Sequence, residues 1–271
     1  MSDFLQGELT TAAFCWRVER RDGVVMGFTT HDRDLEVEGL GYRAAPGMLP
    51  SAVTLASGFE AGALDVSGAL NSRAITGADL MAGRWDGASV RLFMVDWEAP
   101  DAGTIPLATG EIGEVSMRGQ GFEAELRGPA AALEQAVAEQ TSPECRAMLG
   151  DRRCRVDMAL RTRLTRVAAV PGEDRIEVAS AAGGDAYGYG RLRWMSGANS
   201  GLSSAVLRSD EAVIVLREAP AFAPAMGDLV EISEGCDKRL ESCCARFANA
   251  ANFRGEPHLP GTDLLTRYPG V

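Results

Sequence analysis

Six cysteines restrict this chain more than any other feature, because four of them sit in two widely separated pairs. Three lie within nine residues near the C-terminus: Cys236, Cys243 and Cys244, in Gly235-Cys236-Asp237-Lys238-Arg239-Leu240-Glu241-Ser242-Cys243-Cys244, followed by Asn252-Phe253-Arg254-Gly255. Cys145 and Cys154 form a second pair far upstream, and Cys15 stands alone. A C-x8-C pair and a C-x6-C pair can supply one four-thiolate site. If they do, the fold must tie the middle of the chain to its end. The start, Met1-Ser2-Asp3-Phe4, has neither the basic nor the apolar region of a secretory signal. Without one, the cysteines are expected to be reduced thiols or metal ligands rather than a disulfide frame.

Spacing alone leaves three readings open. Thiolates are soft ligands that suit zinc or iron–sulfur clusters. Compact zinc sites pair cysteines about two to four residues apart, and here the intervals are longer. Within one helix, Cys236 and Cys243 would share a face but stand about 10 Å apart along the axis, too far for one zinc ion. A four-iron cluster is wider, and Cys236 can lie just ahead of the helix and curl in. Cys244 is rotated by about 100° from Cys243, so only one of the two can face a site. The third reading is that the thiols are small buried apolar groups. Arg146, Arg152, Arg153 and Arg155 flank one pair, and Lys238, Arg239 and Arg246 the other. They would either offset thiolate charge or form a solvated basic face.

A chain of 271 residues can bury a real core and is expected to form two domains. Its 27 basic residues against 38 acidic ones give a net charge of −11. That balance argues against a sequence-independent nucleic-acid binder, which needs a basic footprint. It remains compatible with an acidic wall around a passage that DNA slides through. No apolar run approaches the roughly 18 residues of a membrane span.

The first half reads as strands. Phe14–Glu19 and Val24–Phe28 flank Arg20-Arg21-Asp22-Gly23, an Asp-Gly hairpin turn. A polar turn at His31-Asp32-Arg33-Asp34 precedes a short hairpin around Gly39 within Leu35–Tyr42. The Gly- and Ala-rich stretch Gly58–Leu70 suits a strand closely approached by another backbone. Thr76 should cap a short helix to Met81. Ser89–Trp97 reads as a buried strand, and Leu107–Met117 with Gly121–Arg127 as a second hairpin, Phe122, Ala124 and Leu126 pointing one way. Pro129 should open a helix over Ala130–Gln140. Ser142 and Pro143 should start another short helix carrying Cys145, with Cys154 in a basic loop beyond it.

From Val156 the pattern returns to strands: Leu164–Val170, Arg175–Ala179, Arg191–Met195, Ala205–Ser209, Val213–Arg217 and Leu229–Ser233. Short Gly- or Pro-rich turns between them suit a small barrel or sandwich. Asp237 is placed to cap a terminal helix running to about Ala248, and Glu256–Gly261 reads as loop. The fold class is therefore α+β, predominantly β. Two β-rich domains, 1–140 and 141–271, are expected, with a few short helices and a C-terminal helix.

Other chemistry is weakly signalled. Cys15, His31 and Asp32 suggest a nucleophile–base pair but have no motif around them. No nucleophile elbow, phosphate-binding loop or dinucleotide fingerprint is present.

Gly235-Cys236-Asp237-Lys238-Arg239, Cys243, Arg246-Phe247, Asn249, Asn252-Phe253-Arg254-Gly255, Pro257-His258 and Pro260-Gly261 together resemble the signature of a phage-tail hub family. That family is found in siphophage-like prophages and gene transfer agents. Upstream, Trp16-Arg17, Arg21-Asp22-Gly23-Val24-Val25, Gly27-Phe28-Thr29, His31-Asp32-Arg33-Asp34 and Gly110-Glu111-Ile112-Gly113-Glu114 fit the same pattern, so the resemblance spans nearly the whole chain. The paired cysteines are also similar to those of lambda-type tail tip protein L, whose C-terminal domain holds a 4Fe-4S cluster. The resemblance implies Cys145, Cys154, Cys236 and Cys243 as ligands of such a cluster, with zinc as the alternative. Cys244 departs from the pattern, and Leu240 and Glu256 stand where the family is expected to carry aromatics. The implied protein is a homotrimeric structural hub of a virion tail tip, assembled in the bacterial cytoplasm. Its upper face would meet the distal tail protein and its lower face a central tip or fibre-bearing protein, with a cell-wall peptidase as a neighbour and DNA passing through its channel. The competing expectations are an iron–sulfur redox or sensor protein, and a cysteine hydrolase using Cys15 or Cys244.

Overall fold

The computed structural model describes residues 10–44, 49–50, 63–69, 76–118, 121–128 and 138–259. The chain divides into two compact units, Met1–Ala136 and Val137–Val271.

The first unit is a nine-stranded sheet. Its strands are β1 (Ala12–Glu19), β2 (Val25–Thr29), β3 (Leu35–Val37), β4 (Leu40–Ala44), β5 (Leu49–Pro50), β6 (Ala63–Ala69), β7 (Ser89–Asp96), β8 (Thr104–Arg118) and β9 (Gly121–Arg127), in the order β3-β4-β2-β1-β7-β8-β9-β6-β5. Strand β1 carries an almost unbroken apolar run because both its faces are covered. Trp16 and Val18 lie opposite Leu92 and Val90 and pack with Phe28, Leu80 and Trp85 on one face. Ala13 and Cys15 lie opposite Val95 and Phe93 and pack with Val37 and Tyr42 on the other. The Asp-Gly turn closes β1 onto β2 with Gly23 at φ 85°. Strand β4 then runs parallel to β2. A Cβ on Gly27 would meet the Gly41 carbonyl and the Tyr42 ring at 2.8 Å, so a glycine is needed for that approach. The helix α1 (Gly77–Met81) is capped as expected: Thr76 Oγ1 accepts the Asp79 N–H at 3.1 Å. Strand β6 lies within the expected Gly58–Leu70 segment, whose other residues fall outside those described.

The second unit holds a closed six-stranded barrel. Its strands are β10 (Thr162–Gly172), β11 (Arg175–Val178), β12 (Arg191–Trp194), β13 (Ser203–Asp210), β14 (Val213–Leu216) and β15 (Leu229–Ser233), ordered β10-β11-β14-β13-β12-β15. Closure leaves no open edge to recruit another chain. Strand β10 belongs to both walls: Thr162–Arg166 pair with β15, and Val167–Gly172 with β11 across two register shifts. Val167, Ile176, Leu192, Trp194, Ile214 and Ile232 fill the interior. The Trp194 indole N–H is satisfied inside this core by Ser204 Oγ at 3.0 Å. The last helix, α2, spans Leu240–Phe247.

Three local expectations need correction or lie outside the described residues. Thr141–Glu144 is not helical; Ser142 Oγ accepts the Glu144 N–H, but the turn goes no further because Cys145 and Arg146 pair instead with a distant segment. Asp237 is not the cap of α2. Arg239 takes that position, and Asp237 stands two residues before it, accepting from the Arg239 N–H and the Ser242 hydroxyl. The helix expected over Ala130–Gln140 lies, up to residue 137, outside the described residues, and 138–140 are not helical.

Candidate metal centre

Barrel topology explains how the two cysteine pairs meet. Strands β10 and β15 are antiparallel neighbours with Thr162 opposite Ser233. The segment entering β10 and the segment leaving β15 therefore emerge side by side at one end of the barrel. The first carries Cys145 and Cys154, the second Cys236 and Cys243. Glu234 N–H donates to the Arg161 carbonyl at 3.0 Å, and the Glu234 carboxylate takes Arg161 at 2.7 Å and Arg246 at 3.0 Å. Both guanidinium groups lie over the Phe247 ring, at 4.8 and 5.0 Å from its centre.

Beyond that junction the two segments are laced together. Cys145 N–H donates to the Lys238 carbonyl at 2.9 Å, and Arg146 N–H to the Arg254 carbonyl at 3.0 Å. Lys238 Nζ reaches back to the Ala147 carbonyl at 2.6 Å. Arg146 grips Glu256 with both Nη atoms, at 2.6 and 2.9 Å, while Glu256 also accepts the Ser142 N–H at 2.9 Å. Glu256, out of place as a missing aromatic, is thus a latch in this chain.

All four sequence-predicted ligands line one recess. Lys238, Arg239, Phe247 and Asn249 are also in its wall. Cys154 and Cys243 are buried, Cys145 and Cys236 half-buried, and Cys244 exposed. Of the adjacent pair, Cys243 is the one that faces inward. Three sulfurs accept N–H bonds: Cys145 from the Arg254 backbone at 3.3 Å, Cys236 from the Lys238 backbone at 3.4 Å, and Cys154 from Asn249 Nδ2 at 3.5 Å. Donors of this kind stabilise the thiolate form. Burial nevertheless pushes the Cys243 thiol up to about 11, with Cys236, Cys145, Cys154 and Cys244 adding repulsion. Burial also raises Cys236, partly offset by the Lys238 N–H and ammonium. Four crowded thiols with N–H donors aimed at three of them fit a group that supplies positive charge. Among the described residues no three or more His, Cys, Asp or Glu groups are placed to hold a metal ion. The thiols share a recess without closing on one point.

The basic residues behave differently from expectation. Arg146, Arg153 and Arg246 are spent on carboxylates: Glu256 and Glu139, Glu139 and Asp151, and Glu234 respectively. Only Lys238 and Arg239 of the seven line the recess. Lys238 is the one lysine in the chain, a signal the sequence offered. The Cys15 thiol is fully buried and donates to the Thr29 hydroxyl at 3.6 Å, and burial raises it. His31 Nδ1 instead accepts the Arg33 N–H at 3.1 Å, and its ring lies tilted beside that of Trp97 at 5.1 Å.

The Arg146–Glu256 latch has an acid signature. The Arg146 guanidinium holds the Glu256 carboxyl down to about 2, against an ordinary 4.5. A depressed folded-state value means its contribution is complete above about pH 4.5 and disappears as the pH falls towards 2. The stability difference between the wild type and Glu256→Gln is therefore expected to be constant above pH 5 and to shrink between pH 4.5 and 2 in urea titrations. A difference that stays flat across that window would remove the latch.

A family model described as baseplate hub protein, N-terminal attachment domain, matches residues 1–157, more than half the chain. The chain belongs to the baseplate hub protein family. The phage conserved hypothetical protein BR0599 family matches residues 185–263. Cys145 and Cys154 fall in the first match, Cys236 and Cys243 in the second. Among solved structures, a chain of the "Virion of native gene transfer agent (GTA) particle" is 40% identical, with a TM-score of 0.84 over 98% of this chain and 94% of that one. A search of curated proteins finds no match. The hub resemblance read from the motifs is borne out, and the location is a virion tail.

Proposed function

We propose that this hub protein is a structural, non-enzymatic element of a phage-like tail tip, homotrimeric around a passage for DNA. It would connect the distal tail protein above to a central tip or fibre-bearing protein below, with a cell-wall peptidase nearby, and would be assembled before release in the bacterial cytoplasm. Membership of the hub family supports the structural role, and similarity to a gene transfer agent virion chain supports the particle context. Cys15 gives no support to a hydrolase, since its thiol is buried against Thr29 rather than a base.

Cys145, Cys154, Cys236 and Cys243 would hold a 4Fe-4S cluster as a fastening. The observation that carries this is the single recess lined by all four thiols, with N–H donors on three. For one zinc at about 2.3 Å the sulfurs would stand about 3.8 Å apart; a four-iron cluster is wider, and the long C-x8-C and C-x6-C spacings favour it. The cluster would supply the positive charge that four buried thiolates lack and join segments that no strand pairing connects. A redox or sensor role would need a second cofactor or an open coordination position, and neither is evident among the described residues. Anaerobic purification with iron and sulfide analysis tests the cluster: about four of each per chain is expected, and a colourless, iron-free protein would refute it. Tails lacking tips in particles without this protein would support the hub role, and normal tips would sink it.

A further inference from the structure

We infer that Asn249 is the positioning residue of the four-thiol site, fixing Cys154 relative to Cys243 and tuning the charge on the Cys154 sulfur. This rests on the reading of the recess as a cluster site. Helix α2 ends at Phe247, and Ala248 turns into the left-handed region with φ 49°. That reversal brings Asn249 back over the helix end, where its N–H donates to the Cys243 carbonyl at 3.0 Å. Its side chain reaches the other segment: Nδ2 donates to the Cys154 carbonyl at 2.6 Å and lies 3.5 Å from the Cys154 sulfur. One residue thus bonds the backbone of one ligand and both the backbone and sulfur of another, 95 positions away.

The orientation of the amide is itself determined. A carbonyl can only accept, so the NH2 end must face Cys154. Asn252 Nδ2 donates to Asn249 Oδ1 at 2.7 Å and holds the other end. The Cys154 loop has its own fixed half: Asp151 accepts the Cys154 and Arg153 N–H groups at 2.6 and 2.8 Å, and the Met148 N–H at 2.9 Å. The loop's donors are therefore held by Asp151, and the Cys154 carbonyl and sulfur by Asn249.

The sulfur contacts to Cys145 and Cys236 come from backbone N–H groups, which side-chain substitution does not remove. Among the described residues, only the contact to Cys154 comes from a side chain. An N–H donated to a ligating sulfur stabilises the more negative state of a cluster and so raises its reduction potential.

The test uses the full chain with Asn249→Asp and Asn249→Ala. Asn249→Asp preserves shape and the acceptor for Asn252 while removing both donors to Cys154. The cluster in both variants is expected at a lower midpoint potential than in the wild type, lowest in Asn249→Asp. Iron should be lost to a chelator more readily, by about 10- to 100-fold in affinity. In iron-free protein, amide hydrogen exchange around Cys154 should be several-fold faster, with that around Cys145 and Cys236 unchanged. That exchange decides the matter if a variant fails to take up iron. Unchanged potentials in loaded variants, or faster exchange around all three cysteines alike, would overturn the assignment. An iron-free wild type would instead refute the cluster, and exchange raised only around Cys154 would still report the Asn249 contact.

Discussion

Serine in place of Cys154 or Cys236 is expected to strip the recess of iron and loosen the C-terminal segment, whereas Cys244→Ser should leave both intact. The difference follows from placement. Cys154 and Cys236 line the recess from opposite segments, while Cys244 is exposed. The two segments are joined by loop hydrogen bonds and ion pairs, with no ladder between them beyond Ser233 among the described residues. Folding linked to a structural metal site can be worth about 10 kcal/mol or more, against a typical total stability of about 5–15 kcal/mol. Even a fraction of that energy would dominate this end of the barrel. The expected readings are a loss of most iron and sulfide per chain and a large fall in Tm under anaerobic conditions. Hydrogen exchange should increase across 234–259 before it does in the barrel strands. A wild-type Tm indifferent to iron chelation, or a Cys236→Ser variant with full iron content, would break the link between thiols and fold.

Much of this arrangement was legible in the sequence, for identifiable reasons. Strand positions followed the apolar alternation and the Asp-Gly and Gly-rich turns, because strand pattern and turn chemistry are local. Thr76 capped its helix for the same reason. The barrel's closure was not legible, since β10 divides its pairing between β11 and β15, and no local pattern records a shared strand. The misplaced elements lie where other hydrogen bonds win. Thr141–Glu144 carries good helix-start chemistry, but Cys145 and Arg146 spend their N–H groups on Lys238 and Arg254. Asp237 resembles a cap but is drawn to Ser242 from two residues further out. At the site, helical rotation required only that one of Cys243 and Cys244 face inward, and the choice of Cys243 came from the family resemblance. Asn249 was visible only as part of a motif. Its partner lies across the recess, and only the chain reversal at Ala248 brings the two together.

Gly235→Ala is expected to cost about 3 kcal/mol or more and to lower iron content, although it changes no ligand. Strand β15 ends at Ser233, and the chain must then pass from the barrel to Cys236 through Gly235. It crosses there against the arch Gly188-Tyr189-Gly190. A Cβ on Gly235 would fall far inside contact distance of the Gly188 carbonyl, the Gly190 nitrogen and the Tyr189 carbonyl carbon. All three are backbone atoms, so no side chain can swing aside. The arch has little freedom to retreat. Tyr189 is already held at φ 61°, Tyr189 N–H is bonded to the Val206 carbonyl, and a Cβ on Gly190 would strike the Ser233 carbonyl. Overpacking of ordinary cores costs about 1–3 kcal/mol because side chains share the strain; here two main chains must separate. Separation moves Cys236, the next residue, away from the other thiols, so fold and site should fail together. Gly41, with open space around its Cβ position and an ordinary φ, is the matched control, and Gly41→Ala should stay within about 0.5 kcal/mol of the wild type. Urea denaturation and iron analysis of both variants give the comparison. If Gly235→Ala matched Gly41→Ala in stability and kept its iron, the close crossing would not be what delivers Cys236 to the recess.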